Sequence, residues 1–122
     1  MTNWRILVVE DDPDGQEVIN RILHHYGLAV DMADTGANAL SLLDQADYNL
    51  AIIDLALPVM DGWELLTAIR DRPHSAEMPC VAVTAFHSAE VANSALQAGF
   101  TAYLQKPVEA EPLMKALETI LA

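Results

Sequence analysis

"IIDLALPVMDGWEL", residues 52–65, begins as a buried strand and then sets a single carboxylate, Asp54, where the apolar run should close. The chain next passes Pro58 and the turn-like pair Asp61-Gly62, after which Leu65, Leu66 and Ile69 recur at helical spacing. Asp61 with Glu64 three residues on has the form of a capping box, the reciprocal hydrogen-bonded start of a helix. The stretch therefore reads as strand, short loop and helix, with an acid at the strand's tip.

The same unit repeats along the chain. "WRILVV" (4–9), "LAVDMA" (28–33), "YNLAII" (48–53), "PCVAV" (79–83) and "FTAYL" (100–104) are short, apolar and β-rich, which predicts five strands. Val18, Ile19, Ile22, Leu23 and Tyr26 predict a first helix ended by Gly27, and Ala39, Leu40, Leu42 and Leu43 a second after Thr35. The Ala-rich stretch at roughly 88–98 predicts a weakly amphipathic fourth helix. Pro112 in a first turn, with Leu113, Leu117, Ile120 and Leu121 on one face, predicts a fifth. Strands this apolar need cover on both faces, and strand–helix alternation gives right-handed crossovers. The expected fold class is therefore α/β: a doubly wound (βα)5 three-layer sandwich around a parallel five-stranded sheet. No linker, repeat or low-complexity stretch interrupts residues 1–122, which predicts one domain.

Composition removes several classes of function. The 122 residues carry 18 acidic and 6 basic side chains, a formal charge of −12 that disfavours direct contact with nucleic acid or anionic lipid and favours cations. No apolar run approaches the roughly 20 residues of a membrane span, and "MTNWRILVVEDD" lacks the features of a signal peptide, so a soluble, cytoplasmic protein is expected. The one cysteine, Cys80, sits in the apolar "PCVAV" and reads as a small buried hydrophobe.

Open parallel sheets bind ligands beyond the carboxyl ends of their strands. Here the first strand ends in Glu10-Asp11-Asp12, the third in Asp54, the fourth in Thr84 and the fifth in Gln105-Lys106-Pro107. Two carboxylates about 4 Å apart repel by roughly 4 kcal/mol at an effective dielectric near 20, so converging acids shift their pKa values or need a counter-ion. Glu10, Asp11 and Asp54 bring −3 and Lys106 returns +1, which leaves room for a divalent cation. An all-oxygen donor set without cysteine or histidine suits Mg²⁺. Asp54 can then act as a nucleophile toward phosphorus, with Mg²⁺, Lys106 and the Thr84 hydroxyl facing the charge on the transferred oxygens.

Four motifs, "ILVVEDDP", "IIDLALPVMDGWEL", "VAVTAF" and "AGFTAYLQKPV", fall at the expected strand ends, and through them the whole chain resembles the receiver domain of two-component response regulators, including the chemotaxis regulators. The resemblance implies a flavodoxin-like strand order 2-1-3-4-5 and phosphorylation of Asp54, with Mg²⁺, by a sensor histidine kinase or a histidine phosphotransfer protein. It implies Asp11 as a direct metal ligand, Glu10 acting on the metal through water, and Ala56 as a ligand through its backbone carbonyl. It further implies Thr84 and Lys106 on the phosphoryl oxygens, Tyr103 as an aromatic that rotates with the switch, and a cis peptide before Pro107 that aims Lys106 into the site. An output face built from the fourth helix, fifth strand and fifth helix would receive a protein target. Ala56 and Phe86, two residues past the acceptor and the threonine, cannot orient a water, which implies slow loss of the phosphoryl group. A protein so read is no turnover enzyme, because it catalyses only its own phosphorylation and dephosphorylation.

Competing functions make different demands. A metal-dependent phosphatase with an aspartate nucleophile, of the haloacid dehalogenase type, wants a second acid where Ala56 stands. A flavodoxin-like cofactor binder wants a Gly/Ser/Thr-rich loop where "EDDPDG" stands, and a pseudo-receiver acting only as a binding module would lack the acceptor, the acids or the lysine. Asp12 and Asp14 compete for the cap of the first helix. Taken singly, Thr84 also reads as an ordinary strand threonine and Tyr103 as a core aromatic. His24, His25, His74 and His87 read as surface or helix-end residues, and Trp4 and Trp63 as packing residues.

Overall fold

A computed structural model describes residues 3–86 and 88–122. Strands β1 (Arg5–Val9), β2 (Ala29–Ala33), β3 (Leu50–Asp54), β4 (Cys80–Thr84) and β5 (Ala102–Gln105) alternate with helices α1 (Pro13–His25), α2 (Gly36–Gln45), α3 (Gly62–Arg70), α4 (Ala89–Ala98) and α5 (Ala110–Leu121). Every strand pairing is parallel, in the order β2-β1-β3-β4-β5, the doubly wound arrangement expected from the sequence.

The two-residue period of the strands sorts their side chains between two layers. Leu7, Val9, Ala51, Ile53, Cys80 and Ala82 pack with α2, α3 and α4 through Ala39, Leu43, Leu65, Leu66, Ile69 and Ala95. Ile6, Val8, Leu50, Ile52, Val81 and Val83 pack on the other side with Ile19 and Leu23 of α1 and Leu113, Met114 and Leu117 of α5. Each fully buried Leu or Ile contributes roughly 1.5–3 kcal/mol, more than an exposed ion pair such as Arg21–Glu17, which gives about 1 kcal/mol at most. Cys80 belongs to this core, and burial pushes its thiol up to about 11. Among the described residues no helix is long and apolar enough to cross a membrane.

Helix ends follow local chemistry. Asp12, not Asp14, caps α1: its side chain accepts from the Asp14 N–H, with Pro13 in the first helical turn. Thr35 and Ser88 cap α2 and α4 by accepting from Asn38 and Val91, and both bonds of the Asp61/Glu64 capping box are present. Gly27 and Gly99 end α1 and α4 with φ of 74° and 115°, the left-handed region that glycine enters without cost. His24 and His25 lie in the last turn of α1, and His74 Nε2 is 3.0 Å from the Leu43 carbonyl, whereas His87 lies outside the described residues. Trp4 and Trp63 pack at the core margins, Trp63 edge-on to Phe100.

Some apolar positions depart from expectation. All five strands begin one or two residues later than their apolar runs; in four of them Trp4, Leu28, Tyr48 and Phe100 pack side chains against the core from outside the strands, and in β4 the leading residue is Pro79. Val18 and Tyr26 are more than a third exposed, lying at the margin of the α1 stripe whose centre is Ile19 and Leu23. In α5, Met114 is buried while Ile120 and Leu121 are only partly covered.

One polar cluster ties β1, β2 and the approach to β3 together. Asp31 accepts from the Tyr48 hydroxyl at 2.5 Å and from Arg5 Nη2 at 2.7 Å, and the Arg5 guanidinium lies 5.3 Å from the Tyr48 ring centre. The Tyr48 hydroxyl, joined by Arg5, outweighs burial and holds the Asp31 carboxyl below the usual range. A carboxyl lowered in the folded state contributes stability above its unfolded pKa of about 3.9 and loses it as pH falls through the lower folded value. Asp31→Asn should therefore lower stability near neutral pH by under about 1 kcal/mol, because the pair is partly exposed. In urea unfolding the gap to the parent should close below about pH 3. A gap as wide there as at neutral pH would contradict the ionic origin.

Candidate functional site

Parallel pairing brings the carboxyl ends of β1, β3, β4 and β5 to one edge, so Glu10, Asp54, Thr84 and Lys106 meet there although up to 96 residues separate them (106 − 10). Ladder bonds run one step past the strands. The Glu10 N–H donates to the Ala33 carbonyl at 3.0 Å, the Leu55 N–H to Val83 at 2.9 Å, and the Lys106 N–H to Thr84 at 2.9 Å. The backbone that aims each side chain is thereby held. The Lys106–Pro107 peptide bond is cis.

Glu10 and Asp54 are buried, at 1% and 5% exposure, while Asp11 is exposed beside them. One oxygen from each of the three acids lies within 4.8 Å of the others. Lys106 Nζ donates to Asp54 Oδ2 at 2.9 Å and stands 2.5 Å from Glu10 Oε1, the second a charge contact without hydrogen-bond alignment. The Ala56 N–H donates to Asp54 Oδ1 at 3.0 Å, and the Asp12 N–H to Glu10 Oε2 at 3.2 Å.

These contacts separate the two buried acids. Burial opposes ionisation of Asp54, but the Ala56 N–H, Lys106 and Glu10 together outweigh it and hold the carboxyl below its usual range. At Glu10 burial wins over Lys106 and the Asp12 N–H, and Asp54 adds to it, so this carboxyl is raised. For Lys106 the two acids outweigh burial and raise the ammonium. Asp54 is thus an ionised carboxylate with one oxygen on a backbone N–H and the other on a cation. Such a group can attack an electrophile, and the adjoining acids can neutralise a metal ion. Three oxygen donors against one ammonium, with Glu10 Oε1 lacking an aligned donor, fit a hard divalent cation.

Thr84 and Tyr103 are joined through one residue, Phe86. Thr84 Oγ1 accepts from the Phe86 N–H at 3.1 Å, and the Tyr103 hydroxyl donates to the Phe86 carbonyl at 3.2 Å. Thr84 is buried and Tyr103 half-buried. Two glycines that the sequence reading left without a packing role shape the same edge. A Cβ on Gly62 would lie 2.5 Å from the Asp54 carbonyl oxygen, and one on Gly15 would lie 2.5 Å from Glu10 Oε1. Their signal in sequence is only the position of a glycine in the first turn of a helix that follows an acidic strand tip.

The profile of the response regulator receiver domain family matches residues 6–118. The transcriptional regulatory protein CusR of Escherichia coli (strain K12) is 32% identical over 117 residues, which are 96% of this chain and 51% of CusR, so the chain spans about half the length of that relative. Among solved structures, the chemotaxis protein CheY4 of Vibrio cholerae superposes with a TM-score of 0.91 at 28% identity, covering 98% of this chain and 100% of that one. The receiver domain of sensor histidine kinase PA1611 from Pseudomonas aeruginosa PAO1, described with a magnesium ion coordinated in its active-site cleft, superposes at 0.88 with 31% identity over 98% of each chain. The chain belongs to the response regulator receiver domain family of two-component signalling.

Proposed function

We propose that residues 1–122 act as one receiver domain in the cytoplasm. It takes a phosphoryl group from a phosphohistidine, on a sensor histidine kinase or a histidine phosphotransfer protein, onto Asp54. The observation that carries this reading is the buried Asp54 carboxylate, held ionised between the Ala56 N–H and Lys106 beside two further acids. In the step, a carboxylate oxygen of Asp54 bonds to phosphorus as the P–N bond of the donor breaks, and the electron pair leaves with the imidazole. Lys106, already 2.9 Å from Asp54, faces the phosphoryl oxygens as their charge grows. Glu10, Asp11, Asp54 and the Ala56 carbonyl would hold Mg²⁺, which when bound neutralises the remaining negative charge. Incubation with acetyl phosphate and Mg²⁺ should give hydroxylamine-sensitive labelling that maps to Asp54. Labelling at another residue, or none, would overturn the assignment.

The same reading accounts for the Thr84–Phe86–Tyr103 link. Phosphorylation adds close to one negative charge and several strong acceptor oxygens, which draws the Thr84 O–H inward. Because Thr84 Oγ1 also accepts from the Phe86 N–H, the backbone of Phe86 follows, and with it the Tyr103 hydroxyl that donates to the Phe86 carbonyl. Tyr103 then turns, and the surface formed by α4, β5 and α5 changes for a protein target. Thr84→Ala should still take up phosphate yet show a reduced NMR response around Tyr103 and α4 when beryllofluoride and Mg²⁺ are added. A response as large and as widespread as in the unmodified protein would exclude Thr84 as the relay.

A further inference from the structure

The turn that carries the acids of β1 into α1 is held peptide by peptide. The Glu10 N–H donates to the Ala33 carbonyl at 3.0 Å, the Asp12 N–H to Glu10 Oε2 at 3.2 Å, and the Gln16 N–H to the Asp12 carbonyl at 2.9 Å. Among these stands the peptide that joins Glu10 to Asp11, just past the end of β1, and its carbonyl accepts from Gln16 Nε2 at 2.6 Å. A backbone carbonyl beyond the last rung of a ladder needs a donor from elsewhere, and here a side chain six residues on supplies it. Gly15 makes that reach possible. The first turn of α1 lies so close over Glu10 that a Cβ at residue 15 would fall 2.5 Å from Glu10 Oε1, and Gln16 is the next residue of that turn.

The three acids do not depend on this peptide equally. The Glu10 and Asp54 carboxylates are buried and gripped by Lys106, by the Asp12 N–H and by the Ala56 N–H. Asp11 is exposed, so the direction in which its short side chain leaves the backbone decides where its carboxylate sits. That direction follows from the Glu10–Asp11 peptide, because the unit is planar and turning its carbonyl changes φ at Asp11, the residue from which the side chain departs. We infer that Gln16 is a positioning residue for the metal site: its amide fixes the Glu10–Asp11 peptide and so keeps the Asp11 carboxylate within 4.8 Å of those of Glu10 and Asp54 before a cation binds. This rests on the reading of the three acids as holders of Mg²⁺. Gln16 is uncharged and partly buried, so it acts on the cation through geometry alone. A bond that orders a ligand in advance lowers the cost of closing the site around the ion.

Gln16→Met keeps the length of the side chain and its preference for helix but has no N–H to donate, and it leaves every charge of the site in place. Titration calorimetry with Mg²⁺, at a temperature where parent and variant are both folded, should give a dissociation constant about tenfold weaker for the variant. In NMR without metal, the Asp11 amide and the Glu10 carbonyl carbon should shift between the two proteins. The Mg²⁺ concentration for half-maximal labelling by acetyl phosphate should rise by the same factor, while the rate at saturating Mg²⁺ stays within about twofold, because the bound ion then holds Asp11 itself. A dissociation constant equal to the parent's would overturn the inference even if the variant melted lower, since a bond that serves only the fold gives that result. A slower rate at saturating Mg²⁺ with unchanged half-saturation would overturn it too, by placing Gln16 in the phosphoryl transfer instead. If the parent bound no Mg²⁺, the metal reading would fall and this inference with it, a result that the parent's titration alone separates from the others.

Discussion

Asp54→Asn is expected to reduce Mg²⁺-dependent labelling by acetyl phosphate by about a thousandfold or more, to the background of the assay, because the nucleophilic oxygen is replaced by an amide that cannot form the acyl phosphate. The fold should survive. Asn has nearly the same shape, and its oxygen can still accept from the Ala56 N–H, which lies 3.0 Å from Asp54 Oδ1. What changes is the other side of the group, where an amide donor would face the Lys106 ammonium that now sits 2.9 Å from Asp54 Oδ2. Removing one of three acids also takes the local charge with Lys106 from −2 to −1, since −3 + 1 becomes −2 + 1. Binding to the folded state alone stabilises it by mass action, so the rise in thermal midpoint that Mg²⁺ gives the parent should shrink in the variant. Acid-stable or undiminished labelling of Asp54→Asn would sink the assignment, whatever its melting temperature.

The acids and Lys106 were legible in the sequence for a topological reason. Once the strands are known to be parallel, every strand tip lies on one edge, and residues as distant as Glu10 and Lys106 must be considered together. Asp61 and Glu64 were legible because capping is local, decided within one helical turn. Long-range packing left weaker marks. Tyr48 looks like strand by type, yet its work is a hydroxyl bond to Asp31 from outside the ladder. Val59 gave no sign of its γ-turn, at φ of 67° with the Met60 N–H donating to the Pro58 carbonyl, because valine favours extended backbone and the nearby Pro58 and Asp61-Gly62 drew the turn to themselves. Arg70 is a further case: its guanidinium bonds the carbonyls of Met78, at 2.7 Å, and Gly99, at 3.3 Å, tying the end of α3 to the end of α4. No spacing rule connects residues 70 and 99.

Gly62 shows best why a letter can be read correctly and still be underestimated. Its place in a turn is evident, but its φ lies outside the left-handed region, so conformational freedom is not what it supplies. An added Cβ would lie 2.5 Å from the Asp54 carbonyl oxygen and 2.7 Å from Leu55 Cα, backbone atoms of the last residue of β3 and the one after it, which the Asp54–Val83 pairing and the Leu55 N–H bond to the Val83 carbonyl hold against β4. That strand cannot yield, and α3 is anchored by Leu65, Leu66 and Ile69 in the core. The start of α3 must therefore lift, breaking the 3.0 Å bond from the Gly62 N–H to the Leu55 carbonyl. Alanine would gain up to about 1 kcal/mol of helix propensity, whereas overpacking against rigid backbone costs about 1–3 kcal/mol or more, so the steric cost should win. Gly62→Ala should lower the thermal midpoint by roughly 5–10 °C. Gly36→Ala is the matched control, because the nearest atoms to its added Cβ are all in the Met60 side chain, Sδ at 2.7 Å, Cγ at 3.2 Å and Cβ at 3.3 Å, with no backbone among them, and it should cost less. The added Cβ also presses on the Asp54 carbonyl, so labelling of Gly62→Ala at a temperature where it remains folded should slow as well. Equal midpoints for the two alanine variants would show that the acceptor strand and α3 are not in the close contact argued here.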